Sequence, residues 1–358
     1  MITIQASVSK GWLHDEAGYT FDKEYYFDPL FRWNQDREID EYIKKRFPDY
    51  AIYNMESNLV QAKYFKNEHI LVGGIQPNLI LGAALGAEFV FFPDKDSDIV
   101  DKPLQNIGNI NQLPEPASIL EMDFIKLLDK QIITIQKERP DLKVIPPFFW
   151  DESGRATIHG FITTSYKLYG ENIFLKMFDD QEFVKSMHSW IGEVYTILIR
   201  HYSEMGNIPV ELVHIGECSG SMLSTEQFDD FVVPFASKMG EELAPLRFHS
   251  CGFSDHLLES FNNINNIKII DTGSNTSVAE MRRIFGNELE INIAPPLDIL
   301  MAGNSDEVIS WLDKILLENN GGLLKIEYHL ESSYSLKSCL KIHDELADRG
   351  LTKRGREY

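Results

Sequence analysis

The segment "PLRFHSCG" (245–252) sets His249 two positions before Cys251 at the end of a strand-like run. Side chains two apart on an extended chain share a face, so this imidazole and thiolate can reach one ion. Zinc accepts nitrogen and sulfur ligands in tetrahedral geometry, and a catalytic zinc keeps three protein ligands and an open position. A buried cysteine is more often a small hydrophobe than a ligand. The strand-end position, the Gly252 that follows and a second histidine at a later strand end favour the ligand reading. His329 and Glu217 are the leading candidates for the third ligand, with Cys218 and Glu327 behind them.

Five successive strand-like runs end in polar groups. "VHIGECSG" carries His214, Glu217 and Cys218; "FHSCG" carries His249 and Cys251; "IIDTGSN" carries Asp271 and Asn275. "INIAPPLD" then supplies Asn292 and Asp298, and "IEYHLE" supplies Glu327 and His329. Glu217, Asp271 and Asn292 are the catalytic candidates, the last two as groups that orient a substrate. Cys339 in "SLKSCLKIHDEL" reads as core, and His188, His201 and His343 as surface or capping residues of amphipathic helices. No P-loop, GxGxxG fingerprint, HExxH helix or G-x-S-x-G elbow occurs, which removes the commonest nucleotide, metalloprotease and serine-hydrolase readings.

The elements that would hold these groups follow from hydrophobic patterning. From about Val144 onward, short runs such as "RATIHGF", "IPVELVHIGE", "IKIIDTGS", "ELEINIAPP" and "GGLLKIEYH" alternate with longer amphipathic stretches that open on an acid or a Ser/Thr. That alternation predicts βα units and a parallel sheet, with a TIM (β/α)8 barrel favoured over a doubly wound sheet. Barrel active sites gather at the C-terminal ends of the strands, where these polar groups stand. Residues 1–65 are rich in aromatics and are expected as a helical and loop extension packed on a barrel of residues 66–358. The charged stretch "PDKDSDIVDKPLQNIGNINQLPEP" is expected as a long surface loop.

A formal net charge of -21 argues against a nucleic-acid partner, because phosphate binding relies on clustered Lys and Arg. It also disfavours an anionic membrane surface. The apolar window 69–92 is broken by Gln76, Pro77, Asn78 and Glu88, which does not suit a bilayer span. With 3 cysteines and no signal-peptide pattern, reduced thiols in a cytoplasmic chain are expected.

From about Leu71 to the C-terminus the chain resembles the uroporphyrinogen decarboxylase (URO-D) superfamily, TIM barrels that include zinc-dependent corrinoid methyltransferases. "ALGAEFVFFP", "MFDDQEFVKSMHSWI", "CSGSMLSTEQFDDFVVPF" and "RFHSCGFSDHLLESF" carry the resemblance, in the family's order, followed by "VAEMRRIFGNELEINIAPPLDILMAGNSDEVISWLDKIL". The "RQAGRY"-type segment of true porphyrinogen decarboxylases is absent, and Pro77 falls where they carry an aspartate. The methyltransferase branch uses His-x-Cys plus a late Cys as zinc ligands; His249 and Cys251 match, and the late position falls on His329. The resemblance thus implies zinc held by His249, Cys251 and His329 or Glu217. It implies methyl transfer between a corrinoid (cobalamin) carrier protein and a small thiol or methylated small molecule, with Tyr328 and the N-terminal aromatics as walls or a lid. Pairing as a homodimer is common in such barrels. The alternatives are a URO-D-like decarboxylase and a non-catalytic metal-binding barrel that docks a corrinoid protein.

Overall fold

The computed structural model describes residues 1–356. Its strands, in chain order, are β1 (Ile2–Val8), β2 (Ile52–Tyr53), β3 (His69–Leu71), β4 (Phe89–Val90), β5 (Asp98–Ile99) and β6 (Lys143–Ile145). They continue with β7 (Arg155–His159), β8 (Leu212–Gly216), β9 (Leu246–Ser250), β10 (Ile267–Thr272), β11 (Glu290–Ile293) and β12 (Leu324–Leu330). Eight of them form one curled parallel sheet in the order β2-β1-β12-β11-β10-β9-β8-β7. Helices fill the connections, so the architecture is the TIM-barrel-like α/β fold that the alternation predicts. The ladder does not run round a closed ring: β3 pairs with β6, and β4 with β5, as separate two-stranded sheets.

Alternation within the strands separates two buried faces, as parallel sheets require. Ile158, Ile215, Phe248 and Ile270 are at most 1% exposed. Phe248 shows where that outer face packs, since its ring meets Phe228 and Phe261 of the helices Thr225–Phe231 and Leu258–Asn262. The intervening Arg155, His214, Arg247 and Asp271 are also buried, but on the inner face. Helix ends follow their sequence signals. Ser224 and Gln227 form a capping box before Thr225–Phe231, and Asp28 accepts from the backbone N–H groups of Leu30 and Phe31 with Pro29 opening Pro29–Arg46.

The aromatic-rich N-terminal extension is present as helices and loops, and it is preceded by a strand of the main sheet. Ile2–Val8 form β1 inside the sheet, paired with β12 from Ile2↔Leu324 to Val8↔Leu330 and with β2 on the other side. "ITIQASV" alternates as a strand should, and the aromatic-rich helices that follow it, Lys10–Ala17, Lys23–Phe27 and Pro29–Arg46, lie outside the sheet. His188 and His343 are likewise buried, not at the surface: Phe231 O and Tyr328 Oη partner them at 2.7 and 3.0 Å. Cys339 is core. No helix among the described residues is long and apolar enough to cross a membrane.

Candidate metal centre

Cys218, His249 and Cys251 bring two Sγ atoms and a ring nitrogen within 4.8 Å of one another. His249 is the next-to-last residue of β9, with Cys251 just beyond the strand; Cys218 opens the short 3-10 turn Cys218–Met222 after β8. Gly216 and His249 are register partners on these neighbouring strands, so the two loops emerge side by side. Gly273 completes the approach from β10, because a Cβ there would collide with the carbonyl oxygen of Cys251. Cys251 is exposed and Cys218 half-buried, so the thiols face the barrel mouth.

Below the thiols lies a buried chain of alternating charge. His249 Nδ1 stands 2.9 Å from Asp271 Oδ2, an ion-pair contact whose angle is off that of a well-formed hydrogen bond. Arg247 donates to the same oxygen at 2.7 and 3.1 Å and to Glu327 Oε2 at 2.8 Å. Glu327 in turn meets Lys325 and accepts from Asn292 Nδ2 at 3.3 Å. Burial would push Asp271 up, but Arg247 and His249 outweigh it and hold the carboxyl well below the usual range. Burial would push His249 down, yet Asp271 and Cys251 raise it to about 10. The Cys218 thiol and the His249 ring stabilise the Cys251 thiolate and depress its pKa, while Cys218 is raised by donating to Cys251. With Nδ1 engaged by Asp271, His249 has Nε2 to offer a metal, which is the carboxylate–histidine arrangement that orients metal-binding imidazoles.

The other candidates stand elsewhere. Glu217 is fully buried and turned to the start of the helix Phe161–Tyr169, where it accepts from Ile162 N at 3.2 Å and from Thr163 N and Oγ1, both at 2.9 Å. Gly160 makes room for it, since a Cβ there would overlap the carboxylate. Burial still raises Glu217 to about 7 against these hydrogen bonds. His329 Nδ1 is 2.8 Å from Ser7 Oγ on β1, and it does not join the group of three donors. Asp271 meets His249, whereas Asn292 meets Glu327. Tyr328 is no wall of the mouth, because its hydroxyl donates to Cys339 O at 3.0 Å on the outer face.

Sequence reasoning passed over Arg247 and Lys325, and gave His214 no role. The signal was there: each charged residue sits two positions before a named candidate (Arg247 before His249, Lys325 before Glu327), hence on the same inner face. His214 is 3% exposed, its ring lies 5.7 Å from that of His249, and its Nδ1 has no partner. Burial, followed by Arg247, keeps its pKa well below the ordinary value.

Among solved structures the chain superimposes on a methyltransferase from Methanosarcina mazei with a TM-score of 0.65, at 12% identity, covering 97% of this chain and 94% of that one. A B12-independent methionine synthase from Shewanella sp. W3-18-1 aligns over 62% of this chain and 67% of its own, at 13% identity and a TM-score of 0.39. Curated protein sequences include no significant match. The family model for uroporphyrinogen decarboxylase (URO-D) matches residues 75–322, which span β7 to β11 and both loops that carry the thiols. The chain belongs to the uroporphyrinogen decarboxylase family.

Proposed function

We propose that this protein is a zinc-dependent methyltransferase that moves a methyl group between a corrinoid carrier protein and a small thiol or methylated small molecule. The observation that carries the reading is the donor set itself. Cys218, His249 and Cys251 converge within 4.8 Å, and Asp271 braces the imidazole. Two sulfurs and one nitrogen suit zinc, and a three-ligand set keeps the open position that a catalytic site needs. Zinc bound there would hold the sulfur of the acceptor and lower its pKa, so that a thiolate exists at neutral pH.

The chain's own residues do the rest. Asp271 keeps His249 Nδ1 occupied, and Arg247 keeps Asp271 ionised. Glu217 pins the loop of Cys218 to the helix Phe161–Tyr169 through Thr163, whose Oγ1 also accepts from Ser219 N at 3.0 Å. The mouth admits the carrier from above, where Cys251 is exposed. In the transfer an S–CH3 bond forms as the carrier's Co–CH3 bond breaks, with the electron pair left on cobalt and the thiol proton released to solvent. Porphyrinogen decarboxylation, the activity in the family's name, has less support, since the sequence lacks its arginine-rich segment.

The test is metal content followed by turnover. About one zinc per chain, lost in Cys218→Ser and Cys251→Ser, with methylation of a thiol by methylcobalamin that both variants lack, supports the reading. A chain that purifies without metal and takes up none from added zinc overturns it.

A further inference from the structure

Between the N-terminal helices and the strand ends lies a cavity that the metal centre does not use. Val8 at the end of β1, Glu56 after β2 and Gln76 after β3 line it from the strands, and Lys10, Arg32 and Asp36 line it from the helices Lys10–Ala17 and Pro29–Arg46. None of Cys218, His249 and Cys251 does so. Every ladder from β2 round to β7 is parallel, so Val8 and the loop after Tyr53 stand at the same end of the sheet as the three metal donors. The cavity measures about 40 Å³. One water needs roughly 10–15 Å³, so the room is for about three water-sized groups.

Lys10, Arg32, Asp36, Glu56 and Asp96 are the charged residues of its lining, and four of them are paired. Lys10 Nζ meets Asp96 Oδ1 at 2.5 Å, and Gln76 Nε2 donates to Asp96 Oδ2 at 3.2 Å. Arg32 Nε meets Asp36 Oδ2 at 3.3 Å, and its Nη1 donates to Gly74 O at 2.5 Å. Both cations also lie over rings, Lys10 at 5.6 Å from the centre of Phe21 and Arg32 at 4.7 Å from that of Tyr25. Glu56 is left over. Its carboxylate has no hydrogen bond or ion pair among the described residues, and its oxygens are not among the unpartnered atoms sealed in the core. The neighbouring Ser57 N donates to Ser7 Oγ at 3.3 Å, which ties this loop to the end of β1. Burial and then Asp96 raise the Glu56 carboxyl above its ordinary value, and His329 and Lys10 offset this only in part, with Glu331 a further acid nearby. Three carboxylates against two cations leave one negative charge over in the lining. A partly buried anion without a partner is costly, and a cation relieves it. A metal ion does not suit the place, because the close group of three metal donors among the described residues is Cys218, His249 and Cys251 and includes none of these carboxylates.

We infer that this cavity is a second ligand site at the barrel mouth, and that its ligand is a small ammonium group with Glu56 as counter-ion. The assignment does not depend on the methyl-transfer reading. An ammonium nitrogen with a carbon or two fits the room and donates a charge-assisted hydrogen bond to the carboxylate. It arrives either on a free amine or as the ammonium end of a molecule held at the metal centre. The second source is open because His159 lies within electrostatic reach of both Asp96 and His249, which makes the two sites neighbours.

The test titrates the full chain, metal-free and zinc-loaded, with methylammonium, methanol and acetate at neutral pH in a calorimeter. Methylammonium is expected to bind about tenfold or more tightly than the other two, the worth of one charged hydrogen bond, and Glu56→Gln should abolish that preference. Ligand-free Glu56→Gln should melt no lower than wild type, because it loses an unpaired charge and no partner; this separates loss of the site from loss of the fold. Glu331→Gln removes a nearby acid that does not line the cavity and should keep the preference. Tighter binding of acetate, methylammonium affinity unchanged in Glu56→Gln, or equal losses in Glu56→Gln and Glu331→Gln overturns the assignment. Cysteamine and 2-mercaptoethanol on the zinc-loaded chain then separate the sources. A gain of cysteamine over 2-mercaptoethanol that Glu56→Gln removes assigns the ammonium to a molecule held at the metal, and methylammonium binding with no such gain assigns a separate amine.

Discussion

Exchange of Asp271 for asparagine removes one charge and almost no volume, which isolates what the carboxylate does. Its Oδ2 serves Arg247 at 2.7 and 3.1 Å and His249 Nδ1 at 2.9 Å. Two losses should follow, readable separately. His249 loses the anion that holds its proton on Nδ1 and Nε2 free. Changes of this kind behind a metal-bound histidine weaken metal affinity by about 10–100-fold, or roughly 1.4–2.7 kcal/mol. Arg247, 2% exposed, loses one of two carboxylate partners but keeps Glu327 at 2.8 Å. Its cost to folding should therefore be that of weakened charged hydrogen bonds, about 1.5–3 kcal/mol, and not the roughly 3–5 kcal/mol of a stranded buried charge. Competition with a chromophoric chelator at neutral pH measures the first effect, and urea unfolding of the metal-free chain measures the second. Asp271→Asn chain that binds zinc within twofold of wild type would refute the bracing of His249, whatever its stability.

Other expectations follow from the same contacts. His329→Ala should keep its zinc, because His329 is committed to Ser7; metal loss comparable to that of Cys251→Ser would restore His329 as a ligand. Glu217→Gln should also keep its zinc but lose about 1–2 kcal/mol of stability, since an amide has one acceptor oxygen where the carboxylate uses two; zinc lost with stability intact would contradict this. His188 is buried neutral, with burial lowering its pKa from 6.5 to about 4. The unfolded chain thus binds the extra proton first as pH falls. This contribution to stability is complete above about pH 6.5 and lost by about pH 4, at a cost near 3 kcal/mol. Urea midpoints across that range should fall less steeply in His188→Gln, and parallel slopes would show that His188 is not the group responsible.

Much of the site could be read from the chain because strand ends announce themselves. "RFHSCG", "IIDTG" and "KIEYH" put polar groups after apolar runs, and the parallel sheet delivers them to one end. The third donor was harder. Spacing by analogy led to His329, the sixth residue of a strand whose neighbour Ser7 takes up its ring. Cys218 reaches the centre only because a 3-10 turn folds back after β8, a feature without periodicity. Adjacent Glu217 stood ahead of Cys218 as a ligand candidate, and what turns it away is the missing Cβ of Gly160, 57 residues earlier and recognisable only in three dimensions. Arg247 and Lys325 were legible in principle, because a cation within a buried strand must have an anion opposite. β1 was obscured by the aromatic residues that follow it.

The position of β1 has a consequence for biosynthesis. Ile2–Val8 take their hydrogen bonds on one side from Leu324–Leu330, which the ribosome makes 322 positions later. At roughly 5–20 residues per second the wait is about 16–65 s. Throughout that interval one edge of the strand is open to strangers, and the β1–β12 ladder cannot form until Leu324–Leu330 have been made. The charge set two residues before the late strand's functional end, Lys325 and Glu327, enters in the same moment. A nascent chain stalled anywhere before residue 324 therefore has all three metal donors but no finished floor beneath them.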